Sequence, residues 1–121
     1  MYDRNNVFAR ILRGELPATK IYEDEYALAF HDIRPLAPVH ALVIPKGEYV
    51  TFDDFAAKAG DTAIAGFFRA VGKTVALLGV GADGYRLLVN NGANAHQEVP
   101  HLHVHIFAGK SLGGMLPRSG D

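Results

Sequence analysis

The sequence predicts an α+β fold: a mostly antiparallel five-stranded sheet with one short N-terminal helix and one long helix. Three observations predict it. A single stretch, residues 52–79, shows sustained three- and four-residue apolar spacing. Short runs of β-prone residues lie on either side of it. The chain has 121 residues, 49% of them hydrophobic, which suits one domain with one real core and no staples.

The elements follow in order. "NNVFARILRGELP" opens as a short helix, with Asn5 or Asn6 as cap and Val7, Phe8, Ile11 and Leu12 on one face. Gly14 and Pro17 end it. "TKIYEDEYALAFHDI" reads as a hairpin, two apolar runs around the polar turn Glu23-Asp24-Glu25. "RPLAP" is a proline-punctuated loop, and "HALVIPK" a buried strand ended by Pro45. In the long helix Asp61 is the expected N-cap of the main segment and Gly79 the stop. Ile64, Phe67, Phe68, Val71, Val75 and Leu78 form its core stripe. Ala59, Ala63, Gly66 and Ala70 form a second stripe of small residues, which suits either close packing on the chain's own sheet or a self-association face. "GYRLLVN" is a strand, "NGANAHQEVP" a polar loop long enough to be functional, and "HLHVHIFAG" the last strand. A glycine-rich tail, about 110–121, is expected to lie over a surface.

Composition excludes several classes. Net charge is −1 with acids and bases interspersed, against a general nucleic-acid or membrane-surface binder. No cysteine means no disulfide framework and no thiolate metal site, and makes a cytoplasmic setting the default. No signal peptide and no run of roughly 20 apolar residues is visible. Two glycine patterns fail on context. "GVGADG" has a helix before it and a strand after, the reverse of a dinucleotide site, and "GFFRAVGKT" has the wrong spacing for a phosphate loop and lies inside a helix.

The chemistry concentrates in "PHLHVHIF", residues 100–107. In a strand, His101, His103 and His105 share one face, while Leu102, Val104 and Ile106 take the core face. Three uses are open. The histidines can be a solvated strand face. With His40 or a carboxylate such as Glu98, they can hold zinc. Or one imidazole can attack phosphorus while another supplies a proton. The last fits more of the chain, because the preceding loop offers the Asn90 amide and backbone N–H groups for phosphate oxygens.

"HLHVHIF" resembles the histidine triad motif, and the likeness extends over nearly the whole chain. "FARILRGELPATKIYEDEYALAFHDIRPLAPVHALVIPK" is similar to the N-terminal half of the histidine triad nucleotide-binding proteins, and "DGYRLLVNNG" with "QEVPHLHVHIFAG" to their C-terminal half. The resemblance implies a HIT-like fold, a two-fold homodimer, and nucleotidyl transfer or hydrolysis at the α-phosphate without metal or cofactor. It implies that His103 is the nucleophile, that His101 orients it, that His105 meets the phosphate or departing group, and that His40 supports them. Asn90, His96, Gln97 and Glu98 fall at the phosphate, His31, Asp32 and Ile33 at the nucleoside, with Asp32 accepting from the ribose hydroxyls. Phe8, Val7, Phe30, Ile33 and Leu42 would wall the base pocket, roles that can coexist with core packing. The branch most resembled acts on purine nucleoside phosphoramidates, with acyl-adenylates as related substrates. A purine mononucleotide-binding regulatory module is the alternative. Two departures stand out. Pro100 replaces an aromatic residue common before the triad, and His96 a glycine common in the phosphate loop.

Overall fold

The structure is a computed structural model and describes residues 1–117. Helix α1 (Val7–Leu12) leads to strands β1 (Lys20–Glu23), β2 (Ala27–His31) and β3 (Val39–Pro45). Helices α2 (Phe52–Lys58) and α3 (Asp61–Leu78) follow, then β4 (Tyr85–Leu88), a 3-10 turn (Ala93–Ala95) and β5 (Val104–Ala108). The five strands form one open sheet in the order β1-β2-β3-β5-β4, with every neighbouring pair antiparallel. The expected α+β class and strand count hold.

Local chemistry places the elements. Asn6 caps α1, its side chain accepting the Ala9 N–H at 2.9 Å. Asp24 closes the hairpin turn by accepting the N–H groups of Tyr26 and Ala27. Gly79 ends α3 in the left-handed conformation, φ 69°, as expected.

The predicted long helix is two helices. Ala59 and Gly60 are extended between them, so Gly60 is the N-cap of α3 and Asp61 lies in its first turn, where a carboxylate suits the helix dipole. In α3, Phe67, Val71 and Val75 pack on Ala27, Ala29, Ala41 and Val43 of the sheet. Those alanines let the helix close on the strands. Phe68 leaves the predicted stripe and is exposed.

The small-residue stripe is used inside the chain. Ala70 is fully buried in the core, and the Tyr26 ring covers Gly66. A Cβ at Gly66 would stand 2.3 Å from that ring. Gly66→Val is therefore expected to lower stability by about 1–3 kcal/mol. A urea melt checks it, and an unchanged midpoint would show that Tyr26 swings aside freely.

The other sheet face carries a smaller core of Leu28, Phe30, Leu42 and Ile44 under Phe8 of α1. Leu102, Val104 and Ile106 sit in the first core, as predicted, so the histidines belong to the α1 face. The last strand is shorter than expected and begins at Val104. Before it the backbone bends: His101 N–H bonds to Val99 and Leu102 N–H to Tyr49. Residues 110–117 have no regular structure, and Arg86 donates to the carbonyls of Leu112 and Gly113. The rest of the predicted tail, 118–121, lies outside the described residues.

Candidate active site

Antiparallel pairing sets Leu42 opposite His105 and His40 opposite Phe107, which brings His40 beside the triplet on the α1 face. A cavity of about 490 Å³ opens there. Asp32, His40, His103 and His105 line one side, and Asn90, His96 and Glu98, from the loop before β5, line the other. The sequence-predicted phosphate loop and the histidines therefore meet in space.

Backbone groups fix the tautomers of His101, His103 and His40, because an N–H can only donate and a carbonyl can only accept. His101 is fully buried. Its Nε2 lies 3.0 Å from the Pro45 carbonyl, so Nε2 carries the proton. Its Nδ1 then accepts the Tyr2 hydroxyl at 2.6 Å. Both nitrogens are occupied, and the ring does not line the cavity. His103 Nδ1 lies 2.7 Å from the His101 carbonyl, so Nδ1 carries the proton and Nε2 keeps its lone pair.

A second chain runs through His40. Its Nδ1 accepts the Leu36 N–H at 3.1 Å, which puts its proton on Nε2. That proton is donated to His105 Nδ1 at 2.9 Å. His105 Nε2 is then an N–H. The His103 and His105 rings stand 5.0 Å apart, centre to centre. The site thus pairs a bare imidazole nitrogen with an imidazole N–H.

Burial keeps these rings neutral. It lowers His101 from 6.5 to about 4, against the bond to Pro45. Burial, then the neighbouring His103 and His40, lower His105 to about 4. Burial also lowers His103 and His40, with Asp32 opposing in both cases. At pH 7 His103 has a free lone pair.

The remaining predicted residues divide. Asp32 is oriented by the Arg34 N–H, which donates to its Oδ1 at 2.8 Å, and its Oδ2 lies 3.5 Å from His40 Nε2. Ile33 is exposed on the cavity wall. Gln97 staples the loop from below: its Oε1 accepts the Gly92 N–H, and its Nε2 donates to the carbonyls of Val50 and Val99. It does not line the cavity. Phe8, Phe30 and Leu42 were expected on the base-pocket wall. They are buried in the second core, packing that was expected to coexist with a pocket role, and none lines this cavity; the Phe8 ring stands edge-on to His103 at 4.9 Å. Val7 and His31 are exposed and also away from the cavity wall.

Sequence reasoning missed three residues. Leu36 and Arg34 line the cavity. The two prolines of "RPLAP" pointed to a loop but gave no sign that its backbone would set a tautomer. Tyr2 lies 99 residues from its partner and gives no local signal.

Residues 13–112 match the model of the HIT domain family. The chain is 61% identical over 117 residues to a HIT-like protein of Azospirillum brasilense, covering 97% of this chain and 96% of that one. It is 37% identical over 114 residues to the purine nucleoside phosphoramidase of Escherichia coli, covering 94% and 95%. The solved structure of a histidine triad protein from Clostridium difficile superposes with a TM-score of 0.82 at 37% identity, covering 96% of this chain and all of that one. A family match over most of the chain and relatives of 37% and 61% identity covered almost end to end give one conclusion: the chain belongs to the histidine triad (HIT) family.

Proposed function

We propose that this chain is a nucleotide-binding hydrolase that cleaves purine nucleoside 5′-phosphoramidates, or related adenylates, at the α-phosphate through a covalent nucleotidyl-histidine on His103. The observation that carries the reading is the bond from His103 Nδ1 to the His101 carbonyl, which leaves Nε2 unprotonated toward the cavity. The similarity to a purine nucleoside phosphoramidase supports the substrate class.

The step balances as follows. The Nε2 lone pair attacks phosphorus, the Nε2–P bond forms, and the P–N bond to the amine breaks. The leaving nitrogen takes a proton. His105 is neutral in the free protein, but an arriving phosphate anion favours its charged form; the added proton takes Nδ1, releasing the His40 N–H that bonds there, and the Nε2 proton is the one delivered. Water then attacks phosphorus and gives its proton to His105 Nε2, left bare by the first step; the Nε2–P bond breaks and the nucleoside monophosphate leaves. Asn90, His96, Glu98 and backbone N–H groups of the loop flank the phosphate, with Gln97 holding the loop. The Asp32 carboxylate accepts from the ribose hydroxyls, and Ile33 with Leu36 offers apolar surface to the base.

We propose further that residues 1–121 form a single cytoplasmic domain that works as a two-fold homodimer, without nucleic-acid or membrane partners. Phe68, Phe52 and Leu87 are exposed around one apolar groove between the helices and the edge strand β4, which supports a dimer face there in place of the small-residue stripe. Among the described residues no helix is long and apolar enough to cross a membrane.

One observation favours a zinc reading. Asp32, His40 and His105 each offer a ligand atom within 4.8 Å of the others. A metal on His40 Nε2, however, would move the proton to Nδ1, against the Leu36 N–H that now donates there. The test is a single-turnover reaction with an adenosine phosphoramidate carrying a fluorescent amine, in chelator, quenched early for mass spectrometry. Adenylate on His103 is the expected result. Amine release that stops in chelator would favour the metal, and bound adenosine monophosphate with no release would favour a binding module.

A further inference from the structure

The segment before α1 is built, not trailing. Asp3 accepts the Asn5 N–H on its side chain, and its carbonyl accepts from the backbone and side chain of Asn6. Arg13 donates to the Arg4 carbonyl at 2.7 Å, and Arg4 pairs with Glu48 at the same distance. These bonds tie residues 3–6 to one another, to Arg13 just after α1 and to Glu48 just after β3. What they deliver is one hydroxyl: Tyr2 Oη, 2.6 Å from His101 Nδ1, with the two rings edge-on at 5.6 Å.

That hydroxyl is linked through His101, by two hydrogen bonds, to the His103 ring. His101 is held at three points: Tyr2 on Nδ1, Pro45 on Nε2, and Val99 on its backbone N–H. Its carbonyl, so held, receives the Nδ1 proton of His103. Without the hydroxyl, a fully buried ring nitrogen loses its donor. The ring must then turn or shift to find another, and the carbonyl on the same residue moves with it.

We propose that Tyr2 is a positioning residue: by donating to His101 it fixes the carbonyl that sets the tautomer of His103 and aims its Nε2 at phosphorus. The proposal rests on the reading of His103 as the nucleophile. It makes the N-terminal segment part of the reaction machinery, through a residue that touches neither substrate nor the cavity wall.

The experiment compares the full chain with its Tyr2→Phe variant, with any purification tag at the C-terminus. Phenylalanine keeps the ring over His101 and removes only the donor. Expected for Tyr2→Phe is a kcat lower by roughly ten-fold or more, as for other partners that orient a reacting group, with KM and adenosine monophosphate affinity within about two-fold. Nitrogen-15 NMR of the histidine rings is expected to show His103 as the pure Nδ1–H tautomer in the wild type and as a mixture in the variant. A kcat within about two-fold of wild type, or equal changes in kcat and KM, overturns the proposal, since a purely structural contact would do no more. Should Tyr2→Phe fail to fold, the wild-type spectrum decides: His101 protonated on Nε2 alone and His103 on Nδ1 alone supports the link, and any other pattern overturns it. Should the wild type form no adduct on His103, the functional reading fails by itself, while the variant's tautomer spectrum still decides whether Tyr2 sets the His103 ring.

Discussion

His103→Ala is expected to reduce turnover of an adenosine phosphoramidate by roughly three orders of magnitude or more, the usual scale for loss of a covalent nucleophile. No adenylated peptide should accumulate at any quench time. Adenosine monophosphate should still bind within a few-fold, because Asp32, Asn90 and the loop N–H groups remain. The ring is buried against Phe8, and its loss leaves the His101 carbonyl without its donor, so a stability cost of about 1–3 kcal/mol accompanies the change. Rates therefore have to be compared well below the melting temperature of the variant. The assignment is specific to this imidazole. His101 has both nitrogens engaged, and His105 Nδ1 is taken by His40 while its Nε2 carries the proton. Retained turnover in His103→Ala, or an adduct on either flanking histidine, would sink the mechanism.

The contrast between His103 and its neighbours also shows where sequence reading stops. Alternation along "HLHVHIF" correctly put Leu102, Val104 and Ile106 in the core, because side-chain period is a local property of an extended chain. The stripe of Phe67, Val71 and Val75 likewise needed only helical spacing. The break between α2 and α3 shows in the sequence only as a cap at Asp61, one residue late, because "AAKAGDTA" has good helix formers on both sides of one glycine, and glycine inside a helix costs only about 1 kcal/mol. The small-residue stripe was ambiguous for a deeper reason. Close approach is all that Gly66 and Ala70 specify, and the approaching group, Tyr26 or a partner, is a tertiary fact. In the site, residue types located the chemistry, but tautomers come from carbonyls and N–H groups of Pro45, Leu36 and His101, which carry no side-chain signature. Phe8, Phe30 and Leu42 show the converse. The family resemblance places them near the site and allows core packing as well, and they are found in the second core, with Phe8 against His103.

Burying that many imidazoles has a thermodynamic consequence, and stability should fall as pH drops from 6.5 toward 4. The sign follows from which state binds protons first. His101 ionises at about 6.5 when exposed and about 4 in the fold, because burial penalises the cation. Below 6.5 the unfolded chain takes up the proton while the native state refuses it, so stability present above 6.5 is lost progressively until pH 4. At about 1.4 kcal/mol per pH unit, that gap costs on the order of 3 kcal/mol for His101 alone. His105, His103 and His40 are lowered as well and act in the same direction. Carboxylates held low by partners, such as Asp54 beside Lys58 and Glu23 beside Lys46, contribute below about 4.5, so the upper part of the window belongs to the histidines. Urea melts at pH 7.5, 6 and 5 measure it. The wild type should lose stability steeply over that range. His101→Gln, less stable at pH 7.5, should lose clearly less on acidification. Equal stability of the wild type at pH 7.5 and 5, or the same slope in both proteins, would show that the rings are more hydrated than their burial implies. The same desolvation that makes the fold acid-sensitive lets His103 keep its free lone pair further into the acid range than an exposed imidazole would, so acid-sensitivity of the fold and acid-tolerance of the nucleophile have one physical cause.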